Sequence, residues 1–304
     1  MIGKRFSDTR KLFSEASRIL HNNDPLRLAA ATAFFTLFAL PPILVILVQI
    51  LGLLFDPEMI REQLFQTLAG VIGTSSVDQI VGVIASMRGL AQNWWITIGG
   101  FIFLLFVSTT LFKVIRSSLN QLWQIRVVVR RNFLGGLQNR LRAVVVILLA
   151  GLLFLAGIMA ETAQAFLGKY LQELSPTLAV VFNGVITHLV SIVVVMIWFG
   201  VLFHHLPDGR PRWKIALVGG FVTSLLFNSG KLLLRWLLAH SNVQTIYGAS
   251  GSIVLLLLFV FYAAIIFYYG AAFTMCLSDY HGKPIQPHTH AVRFEIHSPE
   301  KIPV

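Results

Sequence analysis

Acidic residues are scarce in this chain. Of 304 residues only 13 are Asp or Glu, against 24 Lys or Arg, and charged residues together make up 12%, about half the roughly 25% usual in a soluble domain. Cysteine is scarcer still. The single Cys276 excludes an internal disulfide framework and any Cys-rich metal site. A metal-dependent nuclease or phosphatase needs clustered carboxylates. The acids outside the apolar segments on the basic side are dispersed: Asp8, Glu15, Asp24, Asp208, Asp279, Glu295 and Glu300. No Walker lysine loop, GxSxG or HExxH occurs. The inventory predicts a non-enzyme with no catalytic residues and no metal or other cofactor.

What the chain has instead is long apolar runs. Hydrophobic residues reach 56% and the mean hydropathy is +0.76. Crossing a hydrocarbon core of about 30 Å takes roughly 20 apolar residues in a helix. Six segments qualify: 28–55, 94–112, 143–160, 178–203, 215–239 and 252–277. The first is too long for a signal peptide, and no cleavage site follows it.

The net charge of +11 raises the prospect of nucleic acid, but basic residues also collect in the cytoplasmic loops of membrane proteins. With six spans, nineteen of the 24 cations fall on the side that holds both termini, and only Arg61, Arg88 and Lys169 on the other. The distribution predicts an inner-membrane protein with cytoplasmic N- and C-termini. It accounts for the basic loops without nucleic acid, which would call for an aromatic-rich binding face.

Between these spans the pattern is helical. Leu12, Phe13, Ala16, Ile19 and Leu20 form a stripe opposed by Arg10, Lys11 and Arg18. Residues 1–27 therefore read as an amphipathic helix, lying on the membrane surface or packed on the bundle. In the external segment 56–93, one stripe runs through Ile60, Leu64, Leu68 and Val71, and another through Val77, Ile80, Val81 and Ile84. The break at GTSS, 73–76, can cap the second helix, which predicts an external helical hairpin. Pro41 and Pro42 interrupt the first span and predict a kink, structural or hinge-like. The tail, 280–304, is polar and contains His281, His288, His290 and His297; it reads as flexible and solvated. The fold class predicted is an all-α membrane protein, a six-transmembrane-helix bundle over 28–279 with these additions.

Lys231 and Arg235 are the two cations left over, set in the apolar run GKLLLRWLLAH. With the fifth span starting near Ile215, Lys231 lies about 24 Å along the helix and Arg235 about 6 Å further. At 100° per residue, Gly220, Ser224, Phe227, Asn228, Lys231 and Arg235 share one stripe, which is unsuited to lipid. Intramembrane charge commonly marks a site; the alternative is snorkelling to the outer interface. Glu161, at the end of the third span, stands at the same level as a potential ion-pair partner. The fourth span offers Asn183, Thr187 and Ser191 at four-residue spacing, with His188 near mid-membrane as a hydrogen-bonded or proton-carrying group. On the cytoplasmic extension of the second span, Lys113, Arg116 and Asn120 share a face. That face is either positive-inside anchoring or a contact for anionic headgroups.

The end of the chain carries a resemblance. LP followed by RPRWKIALVGGFVTSLLFNSGKLLLRWL, then TIYGASGSIVLLLLFVFYAAIIFYYGAAFT, is similar to the last two spans of the YihY/BrkB family of bacterial inner-membrane proteins. LAAATAFFTLFALPPILVIL resembles that family's first span and SLNQLW the exit of its second. The likeness covers roughly residues 24–280. The family once carried a ribonuclease BN label and has a virulence-factor name. Some relatives are linked genetically to export of lipopolysaccharide precursors, so the resemblance implies lipid transport. In two places this chain departs: Asn228 and Ala272 stand where the family commonly has acids, which removes the groups that proton coupling there would use. The reading that follows is a transporter or flippase-like carrier of an anionic lipid or amphiphile. A non-transporting scaffold or envelope-integrity protein is the alternative, and a membrane-bound nuclease a more distant one.

Overall fold

A computed structural model describes residues 2–51, 57–72, 74–90, 94–128, 176–240, 251–288 and 291–294. The described chain is dominated by helices: α1 Ile2–His21, α2 Pro25–Leu51, α3 Pro57–Ile72, α4 Thr74–Leu90, α5 Trp94–Leu122, α6 Pro176–His205, α7 Trp213–His240 and α8 Gly251–Tyr280. Four short strands accompany them: β1 Ile125–Val127, β2 Gly209–Arg210, β3 Gln286–Pro287 and β4 Ala291–Arg293. Helices α2, α5, α6, α7 and α8 coincide with the first, second, fourth, fifth and sixth apolar segments. The third segment, 143–160, and Glu161 after it lie outside the described residues. Two helical stretches, Trp213–Leu232 and Ile253–Tyr280, are long and apolar enough to cross a membrane. Pro25–Pro41 and Leu189–His205 are shorter apolar stretches.

Local chemistry sets the element ends. Between α1 and α2, Asn23 Nδ2 caps the Ile19 carbonyl at 2.8 Å. Asp24 takes a left-handed φ of 52°, and Pro25 opens α2 at the position where a missing N–H costs nothing. Gly282, with φ of 62°, ends α8, where the Lys283 N–H returns to the Ser278 carbonyl at 3.0 Å, a C-terminal turn that glycine accommodates without strain. Pro41 and Pro42 do not end α2, which continues to Leu51. The expected pair of helices forms as α3 and α4, with Leu64, Val77 and Ile80 buried in a cluster with Leu44 of α2 and Leu256 of α8.

Helix α8 is the hub, packing on α1, α2, α5 and α7. Small residues permit close approach. A Cβ on Gly219 of α7 would stand 1.9 Å from Thr274 Oγ1 of α8, and one on Gly270 of α8 would stand 1.8 Å from Thr223 Oγ1 of α7. The pairing is reciprocal, each helix offering a Gly to the other's Thr. Without a strong hydrophobic drive between helices in lipid, close packing of small residues holds such seams together. Buried hydroxyls add directional ties: Thr32 of α2 and Tyr268 of α8 sit 2.6 Å apart, and Trp123 Nε1 donates to the Ala271 carbonyl at 2.9 Å.

Two expectations resolve differently in space. The apolar stripe of α1 faces the bundle: Leu12, Ala16 and Leu20 are buried with α8 residues, Phe13 lies 4.9 Å from the Phe273 ring, and Tyr269 donates to the Phe13 carbonyl. Most of the stripe is therefore committed to packing on the bundle, the second of the two readings of this helix, while Phe13 stays partly exposed. The polar tail is not loose through Phe294. Strands β3 and β4 pair with β2 and β1 respectively, and Ile285 and Ala291 are buried. Residues 295–304 lie outside the described part.

Candidate functional site: a polar seam and a basic end

The stripe predicted on α7 begins in well-packed surroundings. Ser224 is fully buried and its hydroxyl donates to the Phe221 carbonyl at 2.9 Å. One turn on, Asn228 Nδ2 donates to the Ser224 carbonyl at 2.9 Å, while Asn228 Oδ1 accepts from Ser191 of α6 at 3.2 Å. The α7 stripe therefore faces α6, and Ser191, from the predicted four-residue series, is its partner. Lys231 follows, half-buried, with Nζ 5.4 Å from the centroid of the Phe227 ring. Phe227 is itself held edge-on by Phe199 at 5.8 Å and Phe259 at 6.0 Å. A cation over an aromatic face gains electrostatic attraction that grows as water is withdrawn.

Other predicted residues are placed less fully. Asn183, Thr187 and His188 lie on α6, and Arg235 lies on α7, but their side chains fall outside the described part. So does the proposed Glu161 ion pair with Lys231 or Arg235. Ala272, one of the two departures from the family pattern, is fully buried; no carboxylate is available there.

At the basic end the geometry replaces one expectation. Lys113 is exposed, as a headgroup contact requires, but Arg116 and Asn120 converge on an acid. Arg116 Nε donates to Asp208 Oδ2 at 2.8 Å, and its Nη2 donates to Oδ1. Asn120 Nδ2 also donates to Oδ2 at 2.8 Å, and its Oδ1 accepts from the Asp208 backbone N–H at 2.8 Å. Asp208 is 1% exposed. The face predicted to greet headgroups is thus an internal clamp between α5 and the α6–α7 turn, because a buried carboxylate captures its donors. The sequence held a signal for this: LPDGRP places one acid in a basic turn, and an isolated acid near arginines needs a partner.

Beside the clamp, His204 stacks on Trp213 with ring centroids 4.1 Å apart, and its Nδ1 lies 2.9 Å from the Pro211 carbonyl. Burial lowers its pKa from 6.5, with Arg210 adding to the effect and the Pro211 hydrogen bond opposing it. A cavity of about 470 Å³ opens between α1 and the end of α8, lined by Lys11, Leu12, Glu15, Ile19, Cys276 and Asp279 among others. None of its lining residues belongs to the α7 stripe. Among the described residues, no three of His, Cys, Asp and Glu gather into a metal-holding group.

Known proteins are similar to this chain over most of its length. The model of the family described as "Virulence factor BrkB" matches residues 17–293. A UPF0761 membrane protein of Saccharophagus degradans is 23% identical over 251 residues, covering 83% of this chain and 56% of that protein. One from Pseudoalteromonas translucida is 25% identical over 252 residues, covering 82% of this chain and 80% of its own length. One from Pseudomonas paraeruginosa is 26% identical over 256 residues, covering 83% and 59%. The chain thus spans little more than half of the first and third of these relatives. No solved structure matches it. The matched region runs from α1 to β4, and on that breadth the chain belongs to the BrkB virulence-factor family of membrane proteins.

Proposed function

We propose that the chain is a six-span inner-membrane carrier of an anionic amphiphile, a lipid in the first instance, with Lys231 receiving the headgroup. The observation that carries this reading is the half-buried Lys231, continuous with Asn228 and Ser224 along the α6–α7 seam. A charge at the bilayer centre costs about 2.5–3.5 kcal/mol on insertion scales, and one nearer the interface, as Lys231 is, costs less but still calls for a partner. The Phe227 ring offsets part of that cost; an anionic headgroup would offset more. Arg235 and His188 extend the same path in sequence. The energy source is not a carboxylate at 228 or 272, since neither position has one. Lys113, exposed on α5, is the remaining candidate for headgroup contact at the basic end. No hydrolytic step and no nucleic acid enters this reading.

The test is binding and transfer of an anionic lipid by protein in vesicles. Lys231→Ala is expected to lower both at least tenfold while insertion and thermal stability stay near wild type. Lys231→Arg should retain part of the activity, because charge survives while its geometry changes. Full activity in Lys231→Ala refutes the assignment.

A scaffold reading has its own support in the reciprocal Gly219–Thr274 and Gly270–Thr223 contacts, which suit a seam that stays shut. The two readings separate on lipid transfer: a scaffold moves none, and Lys231→Ala then changes nothing.

A further inference from the structure

The cavity between α1 and the end of α8 belongs neither to the α7 stripe nor to the Asp208 clamp. Its volume of about 470 Å³ falls within the range of small-molecule sites, roughly 300–1,000 Å³. One wall is α1, with Lys11, Glu15 and Ile19; the other is α8, with Cys276, Asp279 and Tyr280. Each trio recurs at three- or four-residue spacing, so each lies on a single helical face. The two helices advance in the same sense. Phe13 meets Phe273 and Tyr269, whereas Glu15 and Ile19, further along α1, line the cavity with Asp279 and Tyr280. Lys11 therefore sits toward the apolar body of α8, and Glu15 about 6 Å further toward its polar end, at 1.5 Å per residue. Leu12 and Cys276, both buried, give the cavity an apolar floor.

The charges around this cavity are separated rather than spent on one another. Lys11 stands four residues before Glu15, the weaker order for such a pair, and among the described residues it forms no ion pair. Glu15 is paired with Arg18 one turn on, but both side chains are well exposed, at 44% and 69%, and an exposed pair holds weakly. Asp279 accepts one Arg293 hydrogen bond on each oxygen, at 2.7 and 3.0 Å, and each oxygen keeps a further lone pair. A simple anion at this place would face two carboxylates. A simple cation would face Lys11, with Arg18 and Arg293 behind the acids. A ligand that carries both signs meets both walls, with its anion at Lys11 and its cation at Glu15 and Asp279. The order along the helices matches an aminophospholipid, whose phosphate lies nearer the acyl chains and whose ammonium is the tip. Its chains would then run along the apolar body of α8. A primary ammonium brings three N–H donors to the two acids, as a lysine does; a trimethylated one brings none.

We propose that this cavity binds a zwitterionic headgroup bearing a phosphate and a primary ammonium, as in phosphatidylethanolamine, with Lys11 on the phosphate and Glu15 and Asp279 on the ammonium. The test is native mass spectrometry of the full chain in detergent, titrated with phosphatidylethanolamine or with phosphatidylcholine of the same acyl chains. Phosphatidylethanolamine is expected to half-saturate one site at a concentration at least fivefold lower than phosphatidylcholine. Glu15→Gln should raise that concentration at least fivefold, and Glu15→Asp should recover part of the loss. Ser14→Trp fills the cavity from its exposed edge without removing either carboxylate, and should block the site. Both positions lie outside the buried core, so the variants fold. Soluble glycerophosphoethanolamine separates the sources of the headgroup. If it displaces the lipid, the headgroup suffices; if it does not, the acyl chains contribute, and either result supports the site. Equal binding of the two lipids, or phosphatidylethanolamine binding unchanged in Glu15→Gln or in Ser14→Trp, overturns it. Neither lipid is anionic, so the titration does not read the Lys231 stripe. Its failure leaves the carrier reading standing, and failure of lipid transfer in that reading leaves this site standing.

Discussion

Three hydrogen bonds converge on the Asp208 carboxylate, two from Arg116 and one from Asn120. Removing one partner of a buried pair leaves an uncompensated charge, which costs about 3–5 kcal/mol. Asp208→Ala, which strands Arg116, is expected to lower the thermal midpoint more than Asp208→Asn, which keeps an acceptor oxygen; unfolding followed by tryptophan fluorescence in detergent checks the order. Removing both charges with Arg116→Met and Asp208→Leu should cost less than Asp208→Ala alone, since apolar replacement of a buried pair is often neutral. His204 adds a pH dependence. Its folded pKa lies below 6.5, chiefly through burial, so between those values the unfolded chain binds a proton that the folded chain refuses. Stability is then full above about pH 6.5 and declines as pH falls through the folded value. Melting curves from pH 8 to pH 5 should show this decline, and His204→Gln should flatten it.

At the scale of elements, the helices were legible because each writes its boundaries locally. Pro25 and Gly282 mark ends, and apolar runs of helical length mark interiors. The strands were not legible. Two or three residues form no alternating pattern, and Val127 of β1 and Ala291 of β4, 164 positions apart in the chain, come into register only because tertiary packing brings them together. The same applies to the site: the Ser224–Asn228–Lys231 stripe follows from periodicity, whereas its Ser191 partner and the capture of Arg116 by Asp208 depend on which helices meet. Gly219 tests the seam directly. Gly219→Ala must push Thr274 Oγ1 away from 1.9 Å, a strain of about 1–3 kcal/mol. Thr274→Ala in the same chain removes that atom and should restore part of the loss. A thermal-stability cycle measures this, and simple additivity of the two changes would show that the close contact is not the cause.

At the scale of the whole molecule, the two ends are built differently. One end is tied by the clamp, the β1–β4 and β2–β3 pairings and α1 packed on α8, and most of the described cations gather there, including exposed Arg10, Lys11, Lys113, Arg126, Arg212, Lys214 and Lys283. The other end is covered by the α3–α4 hairpin, whose described cation Arg61 pairs with Glu58 at 3.7 Å. Basic residues are retained on the cytoplasmic side during insertion, and short loops follow this bias most faithfully. The asymmetry therefore predicts the clamp on the cytoplasmic side and the hairpin outside. Cysteine accessibility in intact cells decides the matter, since Thr74 at the hairpin and Arg126 beside the clamp are both exposed, and Cys276 can be replaced by serine to clear the background. A cysteine at position 74 should react with an impermeant maleimide in whole cells. One at position 126 should react only after permeabilisation. The reversed pattern would place the clamp outside the cell and put Lys231 nearer the cytoplasmic leaflet, where a headgroup would enter rather than leave.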